Sequence, residues 1–357
     1  MRFLLAVLLL TPLSAQEYKI AVVGLVHSHV WGHLPKMIGS SAAARLVGIA
    51  EPNAELIAEA RKIAPDTHYY SEYQKMLDEQ HPDIVWSFVE NNRHLEVAKE
   101  CARRKINVMF EKPLASTFAE AEEIRQLALK AGIQVLTNYQ MAWWAANYTA
   151  KGLVDEGKIG KTWRLHGIVG HGGPGSEGPR SKYFFEWLTD PVKNGAGALM
   201  DFGCYNALWS LWYLGRPTKV FATSNHLRPD RFPKVEDNAN IELYYPQGVG
   251  IFEASWDLPQ SYQDLEVFGY APDGGSGSVY MKNGHVELRK GRQSEAVKID
   301  PLPADRAEPI AYMVSCLRNH KPVEGLVAMD INAQVIEIID AAKESVRTGK
   351  VVELRKR

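Results

Sequence analysis

At 357 residues, with 46% hydrophobic and 23% charged side chains, the chain is long enough for two domains and a substantial core. A formal net charge of −1 leaves no basic excess, which removes the electrostatic footprint of a nucleic-acid-binding protein. No repeat at solenoid or propeller periods and no long low-complexity tract runs through it.

The chain opens with Arg2, an apolar run from Phe3 to Leu10, and small residues at Ser14 and Ala15. That pattern predicts a signal peptide over 1–15 and an exported protein, periplasmic or secreted. The absence of a twin arginine and of a cysteine at the cut points to the general secretory route without a lipid anchor. No later apolar stretch reaches transmembrane length, so no membrane association is expected after cleavage. Cys101, Cys204 and Cys316 are odd in number and widely spaced, which predicts buried free thiols.

Residues 16–138 alternate strand and helix. KIAVVG (19–24), ARLVGIAEPN (44–53), PDIVWSFV (82–89), INVMFEKP (106–113) and IQVLTNY (133–139) read as strands. WGHLPKMIGS, AELIAEARKIA, HYYSEYQKMLDE, RHLEVAKECARRK and TFAEAEEIRQLALKAG read as the intervening helices. Crossovers of this length imply a parallel sheet of Rossmann type. From 139 to 357 the pattern changes to one helix and a strand, KTWRLHGIVGH (161–171), then a Gly/Pro-rich loop. An apolar helix over GALMDFGCYNALWSLWYLG (197–215) and six alternating segments between 219 and 291 follow, then two closing helices. Alternation predicts a large, mostly antiparallel open sheet. The predicted class is therefore α/β, a Rossmann domain followed by an α+β domain.

Three constellations could carry chemistry. Gly24 ends the first strand, where a helix N-terminus could meet a pyrophosphate. Glu51 ends the second strand, placed to accept from adenosine ribose hydroxyls and to repel a 2′-phosphate, which favours NAD over NADP. Glu111 and Lys112 lie at the carboxyl end of the next-to-last strand, where open α/β sheets bind ligands. Asp201 and Tyr205 are four residues apart in an apolar segment, so a helix places them on one face. An acid there needs a partner or a task.

EKPLA (111–115), GALMDFGCY (197–205), the GLVDEGKIG link (152–160) and the closing EPIAYMVSCLRNHKPVEG (308–325) together resemble the Gfo/Idh/MocA oxidoreductases over essentially the whole mature chain. The resemblance implies that Lys112 is the lysine beside nicotinamide and the reacting carbon, with a cis bond to Pro113. It implies that Asp201 and Tyr205 form the Asp-x-x-x-His/Tyr pair, in the tyrosine form of the glucose–fructose oxidoreductase and dihydrodiol dehydrogenase branches. Asn91 would match the asparagine of the turn after the fourth strand, although that turn reads VEN here, and His94 would start the next helix. Trp143, Trp144, Tyr183 and Trp187 lie on segments that such proteins use around a sugar, and a homo-oligomer through the open sheet is implied. Oxidising a carbinol needs hydride passed to nicotinamide while Tyr205 or Lys112 takes the proton and Asp201 tunes that base.

The turn after Gly24 carries Val26 and His29 where glycines are usual, with His27 and His33 nearby. A zinc site is conceivable from the histidine spacing, but no carboxylate or cysteine is close in sequence, so Val26, His27 and His29 are read as part of a modified cofactor turn and no metal is expected. Export favours a tightly held NAD, since the cofactor is scarce outside the cytoplasm. Alternatives are a redox-neutral NAD-dependent glycoside hydrolase on the same scaffold and a sugar-binding protein without cofactor.

Overall fold

The computed structural model describes residues 17–39, 43–270 and 275–355; the expected signal peptide lies outside them. Strands β1 (Lys19–Val23), β2 (Arg45–Ala50), β3 (Tyr69–Tyr70), β4 (Ile84–Ser87), β5 (Asn107–Glu111) and β6 (Val135–Asn138) form a parallel sheet in the order 3-2-1-4-5-6. Every residue of β4 and β6 is buried, as strands covered by helices on both faces must be. The order reverses between β1 and β4, so a crevice opens outside their carboxyl ends. The helix Phe118–Ala131 starts at a reciprocal cap, in which Thr117 Oγ1 accepts from the Glu120 N–H (3.3 Å) and Glu120 accepts from the Thr117 N–H (3.0 Å). That cap fixes where the chain leaves the EKPLA stretch.

The second domain contains β7 (Lys161–Gly170), β8 (Lys219–Asn225), β9 (Asn238–Tyr245), β10 (Gly248–Ser255), β11 (Tyr262–Tyr270), β12 (Ser276–Lys282), β13 (His285–Lys290), β14 (Gln293–Ala296) and β15 (Val352–Glu353). They form one sheet in the order 14-13-12-11-7-10-9-8-15, antiparallel except where β10 runs parallel to β7. Helices Ala145–Asp155, Gly203–Leu214 and Met329–Thr348 pack against this sheet, and Leu208, Trp209 and Ile339 from the last two are fully buried. The long helix Met329–Thr348 also joins the domains: Asp340 accepts from the Phe118 N–H (2.7 Å) and Lys343 donates to Ser116 O (3.0 Å). The three cysteines are free and buried, as expected.

Three elements differ from their sequence reading. HYYSEYQKMLDE is not one helix: Tyr69 and Tyr70 pair with Ile49 and Ala50 as an edge strand, and the helix is Tyr73–Gln80. WGHLPKMIGS forms only a four-residue helix, Val30–His33, before Pro35, which has no N–H to donate, turns the chain into a 3-10 segment. GALMDFGCYNALWSLWYLG breaks into Ala198–Asp201 and Gly203–Leu214. At the break the Tyr205 N–H bonds Phe202 O (3.1 Å), which releases the Asp201 carbonyl from the helical ladder.

Candidate active site

The cleft runs across the carboxyl ends of the parallel strands and has two distinct ends. At one end, Gly24 turns with φ +82°, and a Cβ there would stand 2.6 Å from Val89 Cγ1 and 2.9 Å from Val89 N. Only glycine lets β1 and the chain after β4 approach so closely. A cavity of about 500 Å³ opens beside it, lined by Gly24, Val26, Glu51, Glu90, Arg93 and Tyr183 among others. Glu51 is buried, and its two oxygens accept from the N–H groups of Leu25 (2.7 Å) and Asn53 (2.9 Å). Burial nevertheless leaves its acidity weaker than an ordinary glutamate's, the two N–H donors offsetting only part of that cost. Arg93 is committed to Glu90 and Glu96, at 3.3 and 2.7 Å.

At the other end lies a buried ion pair. Lys112 Nζ donates to Asp201 Oδ1 and, at 3.1 Å, to the carbonyl that the helix break released. Asp201 Oδ2 accepts from Trp256 Nε1 (2.9 Å), so both carboxylate oxygens are held. The lysine and aspartate side chains are only 6% and 5% exposed. Burial acts to neutralise both groups, but each outweighs it for the other: Lys112 is held well above the usual lysine range and Asp201 below the usual carboxylate range. The Tyr205 ring stands 5.3 Å from Lys112 Nζ and meets the Tyr139 ring edge-on at 5.1 Å. Burial pushes its phenol well above the usual value, against the pull of Lys112. Lys112, Asp201 and Tyr205 are thus brought together, and the Lys112–Pro113 peptide is cis.

The remaining predicted residues divide by location. Glu111 is fully buried; it faces His29 Nδ1 at 2.8 Å and accepts from Asn138 Nδ2 at 2.8 Å. His27 is buried between the rings of His29, Phe184 and Trp187. Asn91 does not face the cavity: its amide donates to Asn194 Oδ1 (2.7 Å) and locks the turn after β4 to the second domain. His94 starts its helix as expected, but it packs on Phe110 at 4.7 Å and bonds Leu114 O (3.1 Å), bracing the backbone after Lys112. Burial brings its pKa down to about 4.

Tyr183 and Trp187, expected beside a sugar, sit instead on the cofactor side. The helix Gly178–Leu188 crosses the mouth of the crevice, with Trp187 Nε1 donating to Val26 O (3.1 Å) and Tyr183 Oη to Glu55 (3.0 Å). Arg180 completes the strap by pairing with Glu59 (3.0 Å) and stacking 4.5 Å over Trp31. Trp143 donates to Asn138 Oδ1 (2.8 Å), while Trp144 lines a separate cleft with Ser261, Gln263 and Asn283.

Asn138, His171 and Trp256 join the site without having been singled out. Asn138 had a usable signal, a polar residue at the carboxyl end of β6. His171 follows β7 in the Gly/Pro-rich loop and stacks edge-on to Phe202 at 4.9 Å. Nothing local marks it or Trp256, which arrives from the end of β10.

Two of the histidines and Glu111 also raise the metal question again, because donor atoms of His27, His29 and Glu111 lie within 4.8 Å of one another. The carboxylate missing from the local sequence is therefore supplied from β5. Two of those donor atoms are already engaged, however: His27 Nδ1 accepts from the His29 N–H (3.2 Å), and His29 Nδ1 is bonded to Glu111. A metal held through those two nitrogens would have to break both bonds.

Comparison with known proteins agrees with this fold. Residues 18–139 match the oxidoreductase family model with an NAD-binding Rossmann fold, and residues 148–271 match the GFO/IDH/MocA C-terminal domain. The D-xylose 1-dehydrogenase (NADP(+)) 2 of Haloferax volcanii is 24% identical over 298 residues, covering 80% of this chain and 84% of its own length. The levoglucosan dehydrogenase of Pseudarthrobacter phenanthrenivorans is 26% identical over 283 residues, 69% of each chain. Among solved structures, the aldose-aldose oxidoreductase of Caulobacter crescentus, complexed with glycerol, superposes with a TM-score of 0.78 at 22% identity, covering 95% of this chain and all (100%) of its own. With both domains matched in order, the chain belongs to the GFO/IDH/MocA family of NAD(P)-dependent oxidoreductases.

Proposed function

We propose that this protein oxidises a carbinol of a sugar or related polyol with NAD, which it holds tightly. The observation that carries the reading is the buried Lys112–Asp201 pair, with Tyr205 against it, at the end of a crevice that Gly24 and Glu51 prepare for a dinucleotide. The residues fit that group: a glycine turn no side chain could replace, an acid at the ribose end, and a strand-end crevice. Nicotinamide, when bound, supplies the hydride acceptor. Lys112, fixed as a cation, would donate a hydrogen bond to the reacting oxygen and stabilise negative charge developing there. Asp201 and Trp256 keep the ammonium in place. Carboxylates around the ribose end, Glu51 and Glu90 foremost, support NAD over NADP. The relatives acting on D-xylose and levoglucosan support a carbohydrate substrate.

The strap Gly178–Leu188 supports retention of the cofactor, and with the expected export it favours a second reading. In that reading oxidation is transient and a glycoside is cleaved with no net NADH. Purified protein, denatured and analysed by absorbance and mass, should release NAD(H). Aryl-glycoside cleavage without NADH accumulation would select the second reading, and NADH formation with free sugars the first. Absence of bound NAD(H) together with no thermal shift on adding NAD would defeat both.

A further inference from the structure

We propose that His29 is the proton acceptor of the reaction, held as the Nδ1–H tautomer by Glu111 so that Nε2 offers its lone pair to the Lys112 end of the cleft. This rests on the oxidoreductase reading above. Alcohol oxidation needs a group that can take the hydroxyl proton, and the two groups nearest the reacting position are poorly suited to it. Lys112 is kept charged by Asp201, and the Tyr205 phenol is kept protonated by burial.

Hydrogen bonding sorts the neighbouring imidazoles. His27 Nδ1 accepts from the His29 N–H (3.2 Å), and His171 Nδ1 accepts from the Gly173 N–H (2.9 Å). Each of these neutral rings therefore carries its proton on Nε2 and can only donate from there. His29 is oriented the other way. Its Nδ1 lies 2.8 Å from Glu111 Oε2, and that carboxylate, though burial works to protonate it, is held below the usual range by its bonds to His29 and Asn138. An ionised carboxylate only accepts, so Nδ1 bears the hydrogen, and in the neutral ring Nε2 is bare. The His29 side chain is 22% exposed, whereas Glu111 is wholly buried.

The carboxylate is itself fixed. Asn138 donates to its other oxygen (2.8 Å), and Trp143 donates to Asn138 (2.8 Å). A buried acid that sets the tautomer of an imidazole and stabilises the imidazolium is a recurrent way to make histidine a base. The ring also lies near the reacting groups: His171 feels the charges of Asp201, Lys112 and His29, and His27 those of His29 and Lys112. The titratable groups beside His29 are thus Glu111, His27, His33 and His171, and the Lys112 charge acts on His27 and His171. In the step, the carbinol C–H bond gives its electron pair and hydrogen to oxidised nicotinamide, and the O–H proton passes to His29 Nε2. A carbonyl, reduced nicotinamide and an imidazolium paired with Glu111 result, and the proton then leaves to solvent.

The test has two parts. In the ¹⁵N-labelled full chain, long-range ¹H–¹⁵N correlations should show one imidazole, identified by its loss in His29→Gln, with a protonated Nδ1 and a bare Nε2, and Glu111→Gln should move it toward the other tautomer. A His29 ring protonated on Nε2, or stoichiometric displacement of the His27 and His29 signals by zinc chloride, overturns the proposal without touching the oxidoreductase reading. In the second part, NAD reduction is followed with D-xylose, D-glucose and levoglucosan. His29→Gln should lower kcat on the order of 10²-fold with little change in KM, and should abolish the acid limb of the pH–rate profile. An unchanged kcat and acid limb in that variant overturns the proposal alone. No NAD reduction by the wild type with any of these sugars, and no bound NAD(H), overturns the oxidoreductase reading and the proposal with it.

Discussion

The two ends of the cleft hold their acids by opposite means. Glu51 is held by backbone N–H groups from its own turn and from the neighbouring one, and it still lines the cavity. Asp201 is held by a cation from another domain, 89 residues away in sequence, and both its oxygens are consumed. An acid satisfied by backbone dipoles can be exchanged for a neutral acceptor at modest cost. A buried ion pair cannot lose one partner without stranding the other charge, so the first end can tune selectivity while the second is all-or-nothing.

That contrast can be broken most sharply at Lys112. Lys112→Met should reduce turnover by on the order of 10³-fold, with far-ultraviolet circular dichroism unchanged, because it removes the fixed cation and retains volume. Retained turnover would mean that the pair is only structural. Asp201→Ala should cost about 3–5 kcal/mol in urea unfolding, since it leaves a buried lysine without its partner. A loss under about 1 kcal/mol would place the pair in a wetter setting than its 5–6% exposure indicates.

Acid should act next on two histidines, His94 fully buried and His33 half-buried. His33 and His94 have pKa values lowered by burial from 6.5 to about 4. Between those values the unfolded chain binds protons that the folded chain does not, so stability falls as pH drops from about 6.5 to about 4 and levels off below. By about pH 5 the loss should be roughly 2 kcal/mol per ring, and His94→Asn should remove its share of the pH dependence. The smallest effect belongs to the tolerant end. Glu51→Ser should raise the preference for NADP over NAD roughly tenfold, about 1.4 kcal/mol, with little loss of stability. An unaltered preference would show that the acid shapes the turn and does not read the ribose.

The contrast also governs what could be read along the chain. Gly24 and Glu51 close short, strongly apolar strands, so their place at a crevice follows from β–α alternation. Lys112 and Asp201 were picked out by their motifs, but their contact depends on a helix break at Phe202 that apolar periodicity conceals. At the break the Asp201 carbonyl accepts from Lys112, a partner outside the segment. Tyr183 and Trp187 show the opposite problem. Their aromatic character suited a sugar face, but the path of their helix carried them to the cofactor turn and to Glu55.

Strand periodicity, the glycine at the first turn and the order of its motifs determined by themselves the α/β class and the crevice, and marked Lys112, Asp201 and Tyr205 without showing that the lysine pairs with the aspartate. Only the tertiary structure decided which histidine faces which acid. His29 and Glu111 lie 82 residues apart and meet because β1 and β5 end at the same edge of the sheet. Which ring nitrogen carries a proton depends on partners delivered by separate elements, and that information does not exist in any local stretch of sequence.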